Sequence, residues 1–381
     1  MKRMAFGLLL SCVLFVCKIF GATEYVVANN NNLNNNTLTV YKLDTSSGAF
    51  TQIAVLQTGG DGLGTVFPLF NYSEVQQAIS PGAACVFALD ARSQDIASFS
   101  KASGYALVGN YTNAALNPTG GGSLALTPNG MFLYATYGST NNIGAWQVNV
   151  DCSLTFVGSY SPSGAAGVGA LKVAPNGNSL IVALTGTDVS AEMYSIDRGS
   201  GVLASLGVLA GFCGDNGTDC LPQGLDITKD SKFVIFAVPV NGFAIFPYAV
   251  VARITPNGLT SPSFWSLNNS SLIADPTSAF LGATAYAGSG DLYFGMYNGV
   301  VTTNFTENPI QIKVTGSTII QGPKENGNIA VTGQWVIVAE YPNQIGVYKV
   351  NSDGSLTENS TTTISGVNPG MISVSTFPET R

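Results

Sequence analysis

Seven short apolar runs recur along the chain, and they constrain its fold more than any other feature. They are YVVA from Tyr25, VFAL from Val86, LYAT from Leu133, IVAL from Ile181, IFAV from Ile235, YFGM from Tyr293 and VIVA from Val336, at intervals of 61, 47, 48, 54, 58 and 43 residues. Each is rich in β-branched and aromatic residues and bounded by turn formers, the pattern of a buried strand. Spread over residues 23–381, seven units average about 51 residues each, the size of one propeller blade.

Two further signals recur around these runs. LTPNG (126–130), VAPNG (173–177) and ITKDS (227–231) sit just before three of them. Pro presets φ and Asn-Gly supplies positive φ, so these segments read as tight hairpin turns. After the runs come LDTSSGAF from Leu43, VNVDCSLT from Val148, IDRGSGVL from Ile196, RITPNGLT from Arg253 and VNSDGSLT from Val350, with FSKASGYAL from Phe99 as a looser copy. Each reads as strand, polar turn, strand. The sum is four strands per unit in an antiparallel meander, which predicts an all-β, seven-bladed β-propeller of four-stranded antiparallel blades.

The ends of the chain bear on how the ring closes. The first unit starts directly at YVVA with no inner strand before it, whereas NPGMISVS (368–375) matches inner strands such as GALKVA (169–174). The C-terminal segment is therefore expected to supply the inner strand of blade one and close the ring, which removes free sheet edges.

Residues 1–22 carry Lys2 and Arg3, an apolar stretch to Cys17, and Gly21 and Ala22, the layout of a secretory signal peptide. A membrane anchor would need about 20 apolar residues, and Lys18 interrupts the run. A secreted or periplasmic protein with a single propeller domain over 23–381, and no integral span once the leader is removed, is the expectation. Four cysteines then remain, Cys85, Cys152, Cys213 and Cys220. Cys213 and Cys220 enclose a short polar loop and are expected to form a disulfide, with Cys85 and Cys152 left as a second pairing. A zinc site from all four lacks the tight C-x2-C spacing.

Charged residues are 10% of the chain, against about 25% in typical soluble proteins. The 15 Lys and Arg, three of them in the leader, face 22 Asp and Glu. A basic stripe for phosphate backbones cannot be built from that, which excludes nucleic acid as a partner. A monomer is expected.

YVVANN…LTVYKLDTSSGAFT (25–51) and VIVAEYPNQIGVYKVNSDGSLT (336–357) resemble the blades of the lactonase-type, YVTN-repeat seven-bladed propellers, a group that includes 6-phosphogluconolactonases and a muconate-lactonising relative. The resemblance covers nearly all of residues 23–381 and implies the propeller fold and a lactone substrate. Those relatives commonly carry a Pro-Arg-His stretch entering an inner strand and use Arg, Glu and His in the pocket. At the matching places this chain has Pro222-Gln223-Gly224 and Pro369-Gly370-Met371, without the cation or the imidazole.

The turn types sort the loops onto two faces. The tight turns share one, and the longer connections share the other, among them 58–77, 110–121, 210–224, 268–282 and 316–327, where a site is expected. The chain has no histidine, so Ser-His-Asp and Cys-His catalysis and imidazole metal ligands are excluded. A phosphosugar needs a cation cluster, and only Arg92 and Lys324 fall on the loop face. Asp90, Asp95, Asp188, Glu192, Asp275, Glu325 and Glu340 are solvated loop charges in the simplest reading, or could pair as acid and base or bind calcium; no metal site and no cofactor is otherwise expected.

Tyr137, Tyr297 and Tyr341 end their apolar runs and would either form, with Arg92, an aromatic rim for a saccharide, peptide or small lactone, or pack between blades, the commoner place for such a tyrosine. Aligning the inner strands on their turns puts Ala78, Ala125, Lys172, Asp226, Ala285, Ala330 and Ser373 in one layer. Lys172 and Asp226 are its charged members, expected to form an ion pair near the channel whose role is structural in the first place and otherwise, with Glu340, catalytic. Sequons stand at Asn35, Asn71, Asn110, Asn216, Asn268, Asn269, Asn304 and Asn359. Two functions follow from these readings, an exported binding scaffold working through its loop face, and a histidine-free lactone or ester hydrolase.

Overall fold

The computed structural model describes residues 23–62, 79–81, 84–116, 122–137, 142–163, 167–185, 191–212, 224–238, 248–260, 262–267, 284–286, 290–296, 299–320, 326–340, 343–364 and 373–378. They form seven antiparallel sheets, the blades of a propeller. Blade three shows the plan, with Leu124–Leu126 as inner strand, then Phe132–Tyr137, Asn142–Val148 and Leu154–Tyr160 outward. Blade five departs from it, because its outermost layer is split into Gly258–Leu259 and Ser263–Ser266, both paired to Tyr248–Thr255. Blade one draws on both ends of the chain. Its strands Thr23–Asn29, Thr37–Asp44 and Phe50–Gln57 are joined by Ser373–Pro378, which pairs antiparallel with Thr23–Asn29 from Glu24↔Pro378 to Asn29↔Ser373.

The apolar runs are explained by where their side chains go. Leu133, Ala135 and Tyr137 pack toward blade two, while Phe132 and Tyr134 from the same strand pack toward blade four. A second strand is thus sandwiched between two blades, so it must be apolar on both faces and reads as an uninterrupted run. Among the described residues one buried cluster fills each of the seven blade junctions, including that between blades seven and one, where Trp335, Ile337 and Ala339 meet Val26, Ala28 and Tyr41. Burying one such side chain stabilises by about 1.5–3 kcal/mol.

The pairing register corrects one expectation. Lys172, Asp226, Ala285 and Ala330 face Ile181, Ile235, Tyr293 and Ile337 in equivalent places. In blade two the equivalent pair is Ser80↔Phe87, and in blade one it is Ser375↔Val27, since Val27 faces the following blade as Phe87 and Ile337 do. Ser80 and Ser375 thus hold this layer rather than Ser373 and Ala78, the latter outside the described residues. Neither of those inner strands is followed by a Pro-Asn-Gly turn, so the turn alignment slipped there.

The hairpins between third and outer strands lock each blade to the one before it. Gly48 takes φ +71° in blade one, and a Cβ there would stand 2.3 Å from Trp335 of blade seven. Gly201 of blade four takes φ +72° and is held as closely against Phe132 of blade three. Cys152 of blade three takes φ +68° at the place of Gly354 in the matching Asn351–Ser355 turn, and it forms a disulfide with Cys85 of blade two. Cys85 begins the second strand, as Trp335 and Phe132 do in their blades. The covalent bond therefore occupies the position where other junctions use glycine against an aromatic ring. Cys213 and Cys220 lie outside the described residues.

These hairpins are held by exposed aspartates. Asp44 Oδ1 accepts from the backbone N–H and hydroxyl of Ser46, and Asp151, Asp197 and Asp353 are held alike by Ser153, Ser200 and Ser355. Bonds to the ionised form, the serine hydroxyl first, hold all four carboxyls below the ordinary range. Their folded-state affinity for protons is depressed, so their contribution is complete above the ordinary carboxylate range and disappears as pH falls through the lowered value. Ser153→Ala is expected to bring the Asp151 carboxyl titration back up when followed by NMR; an unchanged midpoint would disprove the hydroxyl's role.

Candidate functional site

Second strands run from the tight-turn face to the long-loop face, so their last residues form a rim there. Asn29, Asp90, Tyr137, Val238 and Glu340 end such strands in blades one, two, three, five and seven. Chemistry-bearing residues concentrate at the shoulder between blades one and two. There the Asn-rich loop 29–36, the strap 58–62 that follows the third cross-strand of blade one, and the turn 91–94 of blade two interlock.

The loop is polar yet largely buried. Asn29, Asn30, Asn31, Asn32 and Asn36 have little or no exposed surface, because their amides are spent inside the protein. Asn30 Nδ2 donates to Thr37 and Thr39 hydroxyls, Asn29 Nδ2 donates to the Leu89 carbonyl across the junction, and Asn36 Nδ2 donates to Asn29 Oδ1 and, at 2.6 Å, to Asp90 Oδ1. The strap is tied on by backbone bonds: Thr58 N–H to Asn36 O, Asn36 N–H to Gly60 O, Gly62 N–H to Asn32 O, and Arg92 and Ser93 N–H to Asp61 O. Gly60 crosses directly over Asp90, where a Cβ would come 2.4 Å from Oδ2, so no larger residue could follow this path.

Asp90 itself is fully buried, and its Oδ2 accepts no hydrogen bond. Burial above all raises its pKa to about 7; the Asp95 carboxyl, facing it across the hairpin, adds to this, and the side chains of Asn36 and Thr58 only partly offset it. Asp95 is half-buried and accepts from Asn110 Nδ2 at 2.6 Å. The two carboxyls are thus an acid pair in which one member carries a proton near neutrality.

Above them the surface is open. Arg92 is exposed, and its Nη1 donates at 3.3 Å to both Leu33 O and Asn34 Oδ1, which fixes the guanidinium on the crest of the loop. Leu33, Asn34 and Asn35 are exposed beside it.

The other candidates are dispersed. Lys172 Nζ and Asp226 Oδ1 are 2.5 Å apart, an ion pair between blades four and five. It lies at the tight-turn end of the inner strands, one residue before the turns begin, and so is remote from the long-loop face. Lys172 is 45% exposed, which limits the pair's net contribution to about 0–1 kcal/mol. Glu340 is buried within blade seven and accepts from Tyr348 Oη at 2.5 Å. Glu192 is buried in blade four and accepts from Ser163 N–H and the Ser205 hydroxyl.

Tyr137 is not on a rim. It is fully buried between blades two and three with Phe87, Leu116 and Trp146, and burial pushes its hydroxyl pKa upward. Of the two places open to it Tyr137 takes the blade junction and is not a ligand contact, because the alternation of its strand turns it inward. Tyr297, Tyr341, Asp188, Asp275, Lys324 and Glu325 lie outside the described residues. Among the described residues no three Asp, Glu, Cys or His side chains gather as a metal site would require.

The Asn29–Asn36 run, and Thr58 and Gly60 individually within the loop 58–77, escaped the sequence reading. The signal that could have found them is a pair of small-residue segments, NNNNLNNN and TGGDG, flanking the same two strands.

No family model and no curated protein sequence matches the chain. Solved structures of the same fold do. A protein from Bacteroides fragilis proposed to be a 6-phosphogluconolactonase is 14% identical with a TM-score of 0.68, over 94% of this chain and 98% of that one. A second such protein, from Bacteroides uniformis, is 12% identical with a TM-score of 0.70, over 93% and 99%. The periplasmic gluconolactonase of Pseudomonas aeruginosa is 15% identical with a TM-score of 0.65, over 93% and 99%. At these identities the likeness is one of fold.

Proposed function

We propose that this protein is an exported binding scaffold that engages a saccharide or peptide through its long-loop face, with the blade one–two shoulder as the contact edge. The observation that carries this reading is Arg92, an exposed guanidinium braced by Leu33 O and Asn34 Oδ1. A guanidinium has five N–H donors, and a single nitrogen makes both of these contacts. A donor fixed beforehand on a rigid polar crest loses little freedom when it binds a carboxylate or a sugar hydroxyl. Export is supported by the leader-like residues 1–22 and is compatible with the Cys85–Cys152 disulfide. No described helix is long and apolar enough to cross a membrane.

A second reading, a lactone or ester hydrolase, draws on the Asp90–Asp95 acid pair and on the fold shared with a gluconolactonase. The two separate in one experiment. The full chain is screened against saccharide and peptide arrays, and against unphosphorylated lactones and esters with calcium or a chelator. The scaffold reading expects binding that Arg92→Ala weakens about tenfold or more, the size of a charge-assisted hydrogen bond. It also expects no turnover sensitive to Asp90→Asn, Glu340→Gln or Asp226→Asn. Turnover abolished by any of these three, with binding indifferent to Arg92, overturns it.

A further inference from the structure

The shoulder holds a titratable group that a binding face has no need of. Asp90 is sealed beneath the 58–62 strap with an oxygen that accepts no hydrogen bond, and among the described residues no cation pairs with it. Among the described residues the charged groups packed around it are Asp95 on the next strand of blade two, Asp61 on the strap and Arg92 on the turn. Asp95 adds a like charge, Asp61 Oδ1 is turned to the Asn35 N–H, and the Arg92 guanidinium is engaged with Leu33 and Asn34. The 29–36 loop brings only amides.

We propose that Asp90 is a proton-controlled latch for this face: protonated, it lets the strap and the Asn-rich loop close over the shoulder, and deprotonated, it releases them. The neutral acid can be buried beside Asp95 at little cost. Loss of its proton leaves two like charges in a dry hairpin, and such an anion must be hydrated. Two layers could open to admit water. The strands beneath are packed between blades, as Val86, Phe87, Ala88 and Leu89 are fully buried. Among the described residues the strap is held by bonds to the loop 32–36 and the turn 92–93 and by Thr58 beside Asp90, and it contributes glycines at 59, 60 and 62. Opening takes the weaker route and lifts the strap. This rests on the geometry of the shoulder and deepens the binding-face reading, since the released segments adjoin Arg92.

The sign follows from the raised proton affinity of the closed state. Closure is fully favoured below the ordinary carboxylate range, weakens as pH rises through the interval up to the raised value near neutrality, and is level above it. Native-state hydrogen exchange of the full chain needs no ligand and therefore tests the latch apart from any binding function. Protection of the Asn36, Thr58, Gly62 and Arg92 amides is expected to fall about tenfold per pH unit between about pH 4 and about pH 7 and then level off. Leu133 and Val182, in the cores of other blades, should not follow. Asp90→Asn, which keeps the acceptor for Asn36, should hold the strap closed at every pH, and Asp95→Asn should lower the pH at which the decline ends. Protection independent of pH in the native protein, or a decline that survives Asp90→Asn, overturns the latch. If Asp90→Asn does not fold, the carboxyl carbon shift of Asp90 in the native protein decides. A midpoint near neutrality supports the latch, and one in the ordinary carboxylate range rejects it.

Discussion

A chain ended before Ser373 is expected to lose cooperative folding, or to melt many degrees lower than the intact protein. Ser373–Pro378 is the inner strand of blade one, paired over six positions with Thr23–Asn29, and it also packs against the inner strands of blades seven and two. Its removal leaves the backbone of Glu24 to Asn29 without a partner on one side, at the centre of a ring whose other inner strands stay paired. A ladder hydrogen bond contributes about 0.5–1.5 kcal/mol net, so the loss is on the order of 5 kcal/mol before packing is counted. Whole domains are stable by only about 5–15 kcal/mol. The exposed edge would also offer itself to other chains, so aggregation should accompany the loss. Thermal unfolding of the truncated chain checks this. A synthetic peptide covering 368–378, added in trans, should restore part of the melting temperature by re-forming the missing strand. If truncation leaves the melting temperature unchanged, the C-terminal strand does not close the ring.

The architecture was legible because its cause is simple. A strand pressed between two blades must be apolar on both faces, and runs such as VFAL and IVAL show this directly in the one-dimensional order. The turns were legible for an equally local reason, since Gly48, Gly130, Gly177 and Gly201 all need positive φ. Register was lost where that local mark is missing, before Cys85 and at the C-terminal strand. The shoulder was legible only in part, through Asp90, Asp95, Arg92 and the start of loop 58–77, and not through its Asn-rich loop. Asparagine runs usually signify solvated loop, and nothing in NNNNLNNN states that its amides will be consumed by Thr37, Thr39, Leu89 and Asp90. Those partners are up to 60 residues away and meet only when blades one and two are side by side. Tyr137 was legible only as a choice between two places. Its place at a strand end was read correctly, but one step of alternation decides between rim and junction, and no neighbouring motif fixes that step.

The Cys85–Cys152 disulfide should be the most damaging single covalent bond to remove among those described, and its variants should fall in a definite order. It joins blades two and three across a separation of 67 residues, for which loop-closure entropy alone is on the order of 4 kcal/mol. Cys152 also bears a cost in the native fold, because φ +68° suits glycine and strains any other residue by about 1–2 kcal/mol. Cys152→Ser loses the bond and keeps the strain; Cys152→Gly loses the bond and relieves it. The glycine variant should therefore be the more stable of the two, by about 1 kcal/mol. The structure also indicates a repair. The junctions of blades three with four and seven with one hold the corresponding hairpin, there one residue longer, by a glycine lying on Phe132 or Trp335. Cys85→Phe combined with Cys152→Gly copies that arrangement and should recover part of the lost stability without any sulfur. Urea unfolding of the native protein with and without reductant, beside the two single variants and the double one, measures each step. Reductant that leaves the native midpoint in place, or a serine variant equal to the glycine variant, would show that the bond and the left-handed turn do not carry this junction. A double variant no better than Cys152→Gly would show instead that the aromatic lock cannot be transferred between blades.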